Sequence, residues 1–294
     1  MNILITGGTG FIGNALCSYL LAGGHKLVVV SRSIKRNHSN ITYVTQIDNS
    51  MQFDVVINLA GEPIANKRWS HSQKSKIQDS RINTTTHLID YFKNTLLKPS
   101  LFISGSAIGF YGINTTNQDI NETAKGDDSF SSTLCKEWET TALAAQALGI
   151  RTCLLRTGIV LGKKGGALNK MLPPFKLGLG GKIGSGQQWM PWIHIDDMVG
   201  LITWCIENKN INGAINCTAP FPVTNSAFTK ALSLAVNRPT LLPIPAWLIK
   251  LLMGQMGQEL LLSGKKVVPA KALASGYQFK FEQINDALND VINT

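Results

Sequence analysis

Apolar residues fall into short runs separated by longer stretches with helical spacing. The first run, Ile3 to Ile5, is typical of a strand buried on both faces of a parallel sheet. A helix is expected to follow this strand, because the next apolar residues have helical spacing and fall on one side of such a helix: Phe11, Ile12, Ala15, Leu16, Tyr19 and Leu20. Further apolar runs predict strands at 26–30, 41–44, 53–60, 101–104, 151–156 and 214–217, with helices at about 67–97 and 132–148. This alternation predicts an α/β fold with a doubly wound parallel sheet of about seven strands.

The alternation of strands and helices ends near residue 160. Residues 163–190 are rich in glycine and predict a lid with one short helix at about 168–177. Asp196 and Asp197 are typical of a helix start, and the chain from residue 223 onward is predicted to be largely helical. We therefore predict a nucleotide-binding domain over residues 1–160. A smaller, mainly helical substrate-side and C-terminal domain is expected over residues 161–294, interleaved with the first.

Three glycines stand between the first predicted strand and the first helix. Gly7 allows a tight turn, Gly10 lets the backbone approach a pyrophosphate, and Gly13 lets the helix pack against the strand. The free N–H groups of the helix start, with their partial positive charge, then meet the anion. A strand precedes the glycines, and a helix and a second strand follow them. This context predicts a dinucleotide site rather than an unliganded turn.

The end of the second predicted strand indicates which dinucleotide binds. Ser31 and Arg32 stand where an acidic residue would bind the adenosine ribose 2′-hydroxyl of NAD. A serine and an arginine instead suit a 2′-phosphate, onto which the guanidinium can donate two hydrogen bonds. Lys35 or Arg36 stands close enough in the sequence to assist. We therefore predict NADP as the cofactor; in the alternative interpretation Arg32 is a solvated loop residue.

The composition argues against several classes of protein. Of 294 residues, 44% are hydrophobic and 16% are charged, so the chain is not predicted to be disordered. The formal net charge is +10, but the basic residues are scattered, so nucleic-acid binding is not expected. The five cysteines form no CxxC pair, which predicts neither a disulfide framework nor a metal site. No apolar stretch reaches the roughly 18 residues of a membrane span, and the sequence starts directly with a strand, so a cytoplasmic location is expected.

Motifs distributed over the whole chain resemble one family. They are TGGTGFIG, NLAGEPI, GSAIGFYG, LRTGIVLGKKGGAL, GSGQQWMPWIHIDD and NCTAPFPVTN. Together they resemble the extended short-chain dehydrogenase/reductases, in the nucleotide-sugar-epimerase-like branch whose members end in a small domain of unknown function. The resemblance implies a Rossmann-type NADP(H) domain and an oxidoreductase or epimerase. The substrate implied is an unidentified small carbonyl or hydroxyl compound or a nucleotide sugar, and homodimers are common among extended relatives.

The resemblance also implies a set of site residues. The turn after the fourth strand passes beside the adenosine and ribose of the cofactor in such enzymes, and Ser106 stands where the family places its substrate-orienting serine. The predicted cofactor-binding residues are Gly7, Thr9, Gly10, Phe11, Ile12, Gly13, Ser31, Arg32, Leu59, Ala60, Gly61, Ser104, Lys136 and Arg156. The predicted catalytic residues are Ser106, Tyr111 and Lys136, and no metal ligand is predicted.

Short-chain dehydrogenases use a Tyr-x-x-x-Lys pair on one helix face, and this chain departs from that pattern. In the family the lysine holds the nicotinamide ribose and lowers the pKa of the tyrosine, which transfers a proton to or from the substrate oxygen. Lys136 is present in the corresponding helix, but Ser132 stands four residues earlier. A serine hydroxyl is far less acidic than a phenol, so ordinary dehydrogenase chemistry is in doubt.

Three functions therefore remain open. In the first, Tyr111, Ser106 or His194 provides the proton and a reductase reaction survives. In the second, the protein binds NADPH as a non-catalytic regulatory or scaffold protein, and some family members carry the label cell division inhibitor. In the third, it is an epimerase or a lyase-type enzyme that uses transient oxidation. Each residue also has a structural interpretation: Tyr111 as an aromatic packed beside Phe110, Ser106 as a turn hydroxyl, and His194 as a backbone-bonded histidine.

Overall fold

A computed structural model of the chain describes residues 1–33, 35–38, 40–113, 115, 117–163, 165–240 and 242–293. Its strands are β1 Asn2–Thr6, β2 Lys26–Val30, β3 Ile41–Val44, β4 Val55–Asn58, β5 Leu101–Ala107, β6 Asp119–Ile120, β7 Arg151–Thr157, β8 Ile159–Leu161, β9 Trp189–Met190, β10 Trp192–His194, β11 Gly213–Cys217, β12 Val223–Thr224 and β13 Lys266–Val267. Its α-helices are α1 Phe11–Ala22, α2 His71–Asn94, α3 Phe130–Leu143, α4 Leu168–Lys176, α5 Ile195–Glu207, α6 Asn225–Val236, α7 Ala246–Met253, α8 Gln255–Leu260, α9 Ala270–Ala274 and α10 Ile284–Asn293. Short 3-10 helices at Ile108–Tyr111 and Ala144–Leu148 follow β5 and α3.

Seven strands form one parallel sheet in the order β11-β7-β5-β4-β1-β2-β3. The chain runs outward from β1 through β2 to β3, then returns to β4 and continues through β5 and β7 to β11 on the other side. The order therefore reverses between β1 and β4. In open sheets of this kind, ligands bind outside the carboxyl ends of the strands at such a reversal. The predicted doubly wound sheet of seven strands is confirmed.

Helices cover both faces of the sheet. Ile3 and Ile5 point to one face and pack with residues of α1 and α5, whereas Leu4 points to the other and packs with residues of α2 and α3. Successive residues of a strand point to opposite faces, so a strand covered on both sides is apolar at every position. Each fully buried aliphatic or aromatic side chain in these two layers contributes roughly 1.5–3 kcal/mol to stability.

One residue of α1 lies differently from its prediction. The buried residues of this helix are Gly13, Leu16, Cys17 and Leu20. Tyr19 is 57% exposed, so it does not share the buried side of the helix with Leu16 and Leu20, which were predicted to lie on the same side. The buried positions follow i, i+3, i+4 and i+7 spacing, and residue 19 lies off that stripe.

The residues after 223 form mainly helices that bond to the first part of the chain at several places. The carboxylate of Asp197, at the start of α5, accepts the N–H groups of Lys280 at 2.7 Å and Phe281 at 2.9 Å. The carboxylate of Glu259 accepts the N–H of Ser131 at 3.0 Å and its hydroxyl at 2.6 Å, at the start of α3. Strand β13 pairs with β6, which precedes α3. The division of the chain near residue 160 stays a prediction.

The turn between β1 and α1 is closely packed. Gly7 has a positive φ of 72°, and a Cβ there would lie 2.5 Å from the carbonyl carbon of Leu59, directly after β4. A Cβ on Gly13 would lie 2.6 Å from the Cα of Gly8 and would overlap the carbonyl oxygen of Gly7. Only glycine therefore fits at residues 7 and 13.

Gly13→Ala should destabilise the protein, because the added methyl group has no space between α1 and the turn. We expect the free energy of unfolding in urea to fall by about 1–3 kcal/mol, the usual cost of overpacking. Gly23→Ala is the matched control: Gly23 has a φ of −77°, and its nearest contact to an added Cβ is 3.4 Å. Equal effects of the two substitutions would contradict this packing account.

Candidate functional site

The start of α1 presents backbone donors to solvent. Gly10 is its N-cap, no side chain caps it, and its first turn contains no acidic residue. The first N–H groups of an α-helix have no acceptor within the helix. Thr9 and Gly10 are exposed, and a Cβ on Gly10 would contact only the carbonyl oxygen of Gly7, at 3.2 Å. An anion can therefore approach this helix start, where the dipole favours negative charge.

The ends of β2 and β4 flank this glycine turn. Ser31 is buried directly after β2, and Arg32 beside it is exposed. On the other side, the N–H of Leu59 donates to the carbonyl of Thr6 at 3.0 Å, so residues 59–61 continue beside the end of β1. The predicted cofactor residues 7–13, 31–32 and 59–61 thus lie together at the carboxyl edge of the sheet, and their roles stay predictions.

The glycine-rich segment after β8 packs against the same turn. A Cβ on Gly165 would lie 2.5 Å from the ring of Phe11, and one on Gly162 would lie 2.8 Å from it. The predicted lid therefore begins in contact with the first residue of α1. Its predicted helix is present as α4, and residue 164 of the lid lies outside the described residues.

A buried ion pair links the end of β7 to α3. Arg156 is 5% exposed, and its Nε and Nη2 donate to the two carboxylate oxygens of Glu139, each at 2.9 Å. Burial lowers the pKa of Arg156, but the carboxylate of Glu139 outweighs burial and raises that pKa overall. Ser106, at the end of β5, donates its hydroxyl to Glu139 at 2.6 Å. Ser106 and Arg156 therefore bond to a common carboxylate beneath the surface of the site, and Ser104 is fully buried nearby in β5.

Tyr111 belongs to the same buried network. Its side chain is 0% exposed, its hydroxyl donates to Oδ1 of Asn216 at 2.6 Å, and Nη1 of Arg156 donates to the hydroxyl at 2.9 Å. Burial raises the pKa of Tyr111 to about 12. Its ring packs edge-on against Phe110, with centroids 5.4 Å apart. A proton donor must reach the substrate, so this position favours the packed-aromatic interpretation.

Ser132 and Lys136 face the segment that precedes α3. The hydroxyl of Ser132 donates to the carbonyl of Phe110 at 2.7 Å, and a Cβ on Gly126 would overlap both of those oxygens. The Lys136 ammonium donates to the carbonyl of Asp127 at 2.6 Å. A tyrosine at residue 132 would have no space here, because the backbone at Gly126 occupies it.

The face of α3 that packs near the end of β5 is not the one that holds Ser132 and Lys136. Ser131, Cys135 and Glu139 follow at four-residue spacing. A Cβ on Gly109 would lie 3.0 Å from the Cβ of Ser131. Burial raises the pKa of Cys135 to about 11, against hydrogen bonds that Ala107 and Ser106 provide. The side chains of this face that contact Ser106 are thus a buried thiol, whose pKa lies above its usual range, and a paired carboxylate.

His194 lies at the start of α5 and is 1% exposed. Its Nδ1 accepts the N–H of Asp196 at 3.2 Å, its Nε2 lies 3.3 Å from a carboxylate oxygen of Asp290, and its ring lies 3.9 Å from that of Phe281. Burial lowers its pKa, although the nearby aspartates oppose this. These contacts join α5 to the C-terminal residues and favour the structural interpretation of this histidine.

Sequence reasoning missed Glu139, Cys135 and Arg81, whose guanidinium lies beside the turn after β4. One signal was available for Glu139: Arg156 is a charged residue inside an apolar strand run, and a buried charge requires an opposite partner. No comparable pattern marks Cys135 or Arg81.

Comparison with known proteins places this site in a family. A sequence model described as the NAD dependent epimerase/dehydratase family matches residues 3–218, and one described as a domain of unknown function, DUF1731, matches residues 244–291. The mouse epimerase family protein SDR39U1 is 38% identical over 99% of this chain and 100% of its own length.

The chain belongs to the NAD dependent epimerase/dehydratase family.

Two further relatives extend this assignment. The chloroplastic SDR39U1 homolog of Arabidopsis thaliana is 38% identical over 99% of this chain and 87% of its own length. The crystal structure of human SDR39U1, isoform 2, with NADPH superimposes with a TM-score of 0.90 at 33% identity, and each chain is covered completely. The resemblance to the epimerase-like branch with a C-terminal domain of unknown function is thus confirmed.

Among the described residues, no three His, Cys, Asp or Glu side chains stand together as a metal would require. Within the same ranges, no helix is both long and apolar enough to cross a membrane.

Tyr111→Phe should act on stability. We expect a loss of about 1–2 kcal/mol at neutral pH, because the acceptor on Asn216 loses its donor. The folded protein retains the Tyr111 proton up to a pKa of about 12, whereas an unfolded tyrosine releases it near pH 10. The wild-type free energy of unfolding should therefore decline from about pH 10 to 12, and the variant should decline less.

Urea denaturation at a series of pH values measures both effects. Tyr19→Phe is the control, because Tyr19 is exposed. Parallel alkaline curves for wild type and Tyr111→Phe would show that this phenol is not held protonated by burial.

Proposed function

We propose that this chain binds NADP(H) at the carboxyl ends of β1, β2 and β4 and acts as an oxidoreductase. Its substrate would be a small carbonyl or hydroxyl compound or a nucleotide sugar. The observation that carries the proposal is the open helix start at Gly10, between two glycines that admit no side chain. The human relative with a TM-score of 0.90 was crystallised with NADPH, which supports the cofactor assignment.

The residues present fit an NADP(H) molecule. The backbone N–H groups at the start of α1 suit its diphosphate, and Arg32 suits its 2′-phosphate. Residues 59–61 flank the diphosphate position on the opposite side from Arg32. When bound, NADPH supplies a hydride, and the chain's own groups hold and orient the cofactor.

Arg32→Ala should remove the preference for the 2′-phosphate. We expect the Kd for NADPH to rise at least tenfold and the Kd for NADH to change less than twofold, because only NADPH carries that phosphate. Isothermal titration calorimetry measures both constants. Lys209→Ala, at an exposed site after α5, is the control. An unchanged NADPH affinity in Arg32→Ala would contradict the assignment of this residue.

A second function, non-catalytic NADPH binding in a regulatory or scaffold role, is favoured by one observation. The face of α3 beside Ser106 holds Ser131 and Cys135, and neither is an acidic hydroxyl or a cation. Tyr111 is buried, and Lys136 bonds to a backbone carbonyl. A role in cell division would belong to this second class of function.

Turnover separates the two functions. Purified protein with NADPH is screened against carbonyl compounds and nucleotide sugars, with absorbance at 340 nm as the readout. For an oxidoreductase we expect NADPH consumption, and a kcat that falls at least tenfold in Ser106→Ala while the control Ser275→Ala, at an exposed site after α9, is unaffected. Lys136→Ala and Tyr111→Phe test the other predicted catalytic residues in the same assay. Tight NADPH binding without any turnover would contradict the oxidoreductase and leave the non-catalytic function.

A further inference from the structure

We propose that Arg81, on α2, is the cation that binds the nicotinamide half of the dinucleotide, through its ribose and the attached phosphate. This inference rests on the NADP(H) binding proposed above. It assigns to α2, the helix that packs beside α3, the role that a lysine on α3 has in the tyrosine–lysine pattern.

The guanidinium of Arg81 lies beside the turn that follows β4. A Cβ on Gly61 would lie 3.0 Å from Cζ of Arg81 and 3.2 Å from Nη2. Gly61 is exposed, and Leu59 two residues earlier forms the contact with Gly7 in the first turn. Arg81 thus lies at the same carboxyl edge of the sheet as the glycine turn.

The sheet order shows which half of a dinucleotide this position faces. Arg32 stands at the end of β2, on one side of the reversal between β1 and β4, and Arg81 stands by β4, on the other side. A dinucleotide lies across the reversal with its diphosphate at the start of α1. If the adenosine 2′-phosphate lies at Arg32, the nicotinamide half extends toward β4 and β5, which is the side of Arg81.

Arg81 is held in place and still has donors to offer. Its Nη1 donates to the carbonyl oxygens of Ile77 at 2.9 Å and Glu62 at 3.1 Å, and its Cζ lies 5.3 Å from the centroid of the Trp138 ring. Over the described ranges, Nε and Nη2 have no hydrogen-bond acceptor, and neither is a fully buried atom. A guanidinium fixed at one nitrogen with the others unpaired is suited to donate hydrogen bonds to a ligand oxygen with little further loss of side-chain entropy.

The other two cations predicted for this side of the site both bond to groups of the protein. Lys136 donates to the carbonyl of Asp127. Arg156 is buried in its pair with Glu139, and its remaining Nη1 donates to Tyr111 and to the carbonyl of Glu122. Arg81 lies next to the turn after β4 and keeps Nε and Nη2 without a bond to the described residues.

The test compares two ligands that share the adenosine half. NADPH contains both halves, whereas adenosine 2′,5′-bisphosphate lacks the nicotinamide half. In Arg81→Gln we expect the Kd for NADPH to rise at least tenfold and the Kd for the bisphosphate to change less than twofold. Arg81→Lys keeps the charge but loses the planar guanidinium with its two parallel donors. We expect it to raise the Kd for NADPH only severalfold. Lys76→Gln, an exposed cation on the same helix, is the control and should change neither constant.

Each other outcome overturns the inference in a distinguishable way. Unchanged NADPH affinity in Arg81→Gln would remove Arg81 from the site while leaving NADP(H) binding intact. An equal loss of affinity for both ligands would show that Arg81 only supports the local fold. If Arg81→Gln does not fold, the change in the Kd for NADPH relative to the Kd for the bisphosphate is measured in Arg81→Lys instead. If the wild-type protein binds neither ligand, the proposed function itself fails, and this inference fails with it.

Discussion

The contact between the first glycine turn and the end of β4 is the constraint on which the site depends. Gly7 and Gly13 have no space for a Cβ, so α1 starts directly against the ends of β1 and β4. This packing places the helix start at the reversal of strand order. Gly10 lies on the open side of the same turn, where a ligand can approach the backbone. The ends of β2 and β4 lie on either side of this turn, as the strand order requires.

A second constraint governs the side of the site formed by β5, β7 and α3. The buried pair of Glu139 and Arg156 orients Ser106 and Tyr111, and removing one partner of such a pair typically costs about 3–5 kcal/mol. These side chains form hydrogen bonds with one another. The backbone at Gly126 fills the space beside Ser132. The chain therefore lacks the tyrosine–lysine pair, and other groups of the protein pack in the space beside Ser132. On this side of the site we propose that Arg81, with its position beside the turn after β4 and its unpaired donors, contributes to cofactor recognition.

The sequence was sufficient to predict the features that depend on local pattern. Apolar runs and glycine spacing predicted the parallel sheet and the first turn, because strand burial and a missing Cβ act over a few residues. The orientation of α3 could not be predicted in this way. A spacing of four places Ser132 and Lys136 on one face, but long-range packing decides which face meets the sheet. Trp138, whose Nε1 donates to Thr85 on α2 at 3.0 Å, is part of that packing. The position of Arg81 likewise follows from how α2 returns past the end of β4.

We propose that a nicotinamide dinucleotide lies with its diphosphate over the turn between β1 and α1. A crystal structure of the wild-type protein grown with NADPH tests it most directly. We predict phosphate oxygens within about 3 Å of backbone nitrogens at the start of α1, and the 2′-phosphate beside Arg32. A structure in which NADPH lies away from residues 7–13 would contradict the account.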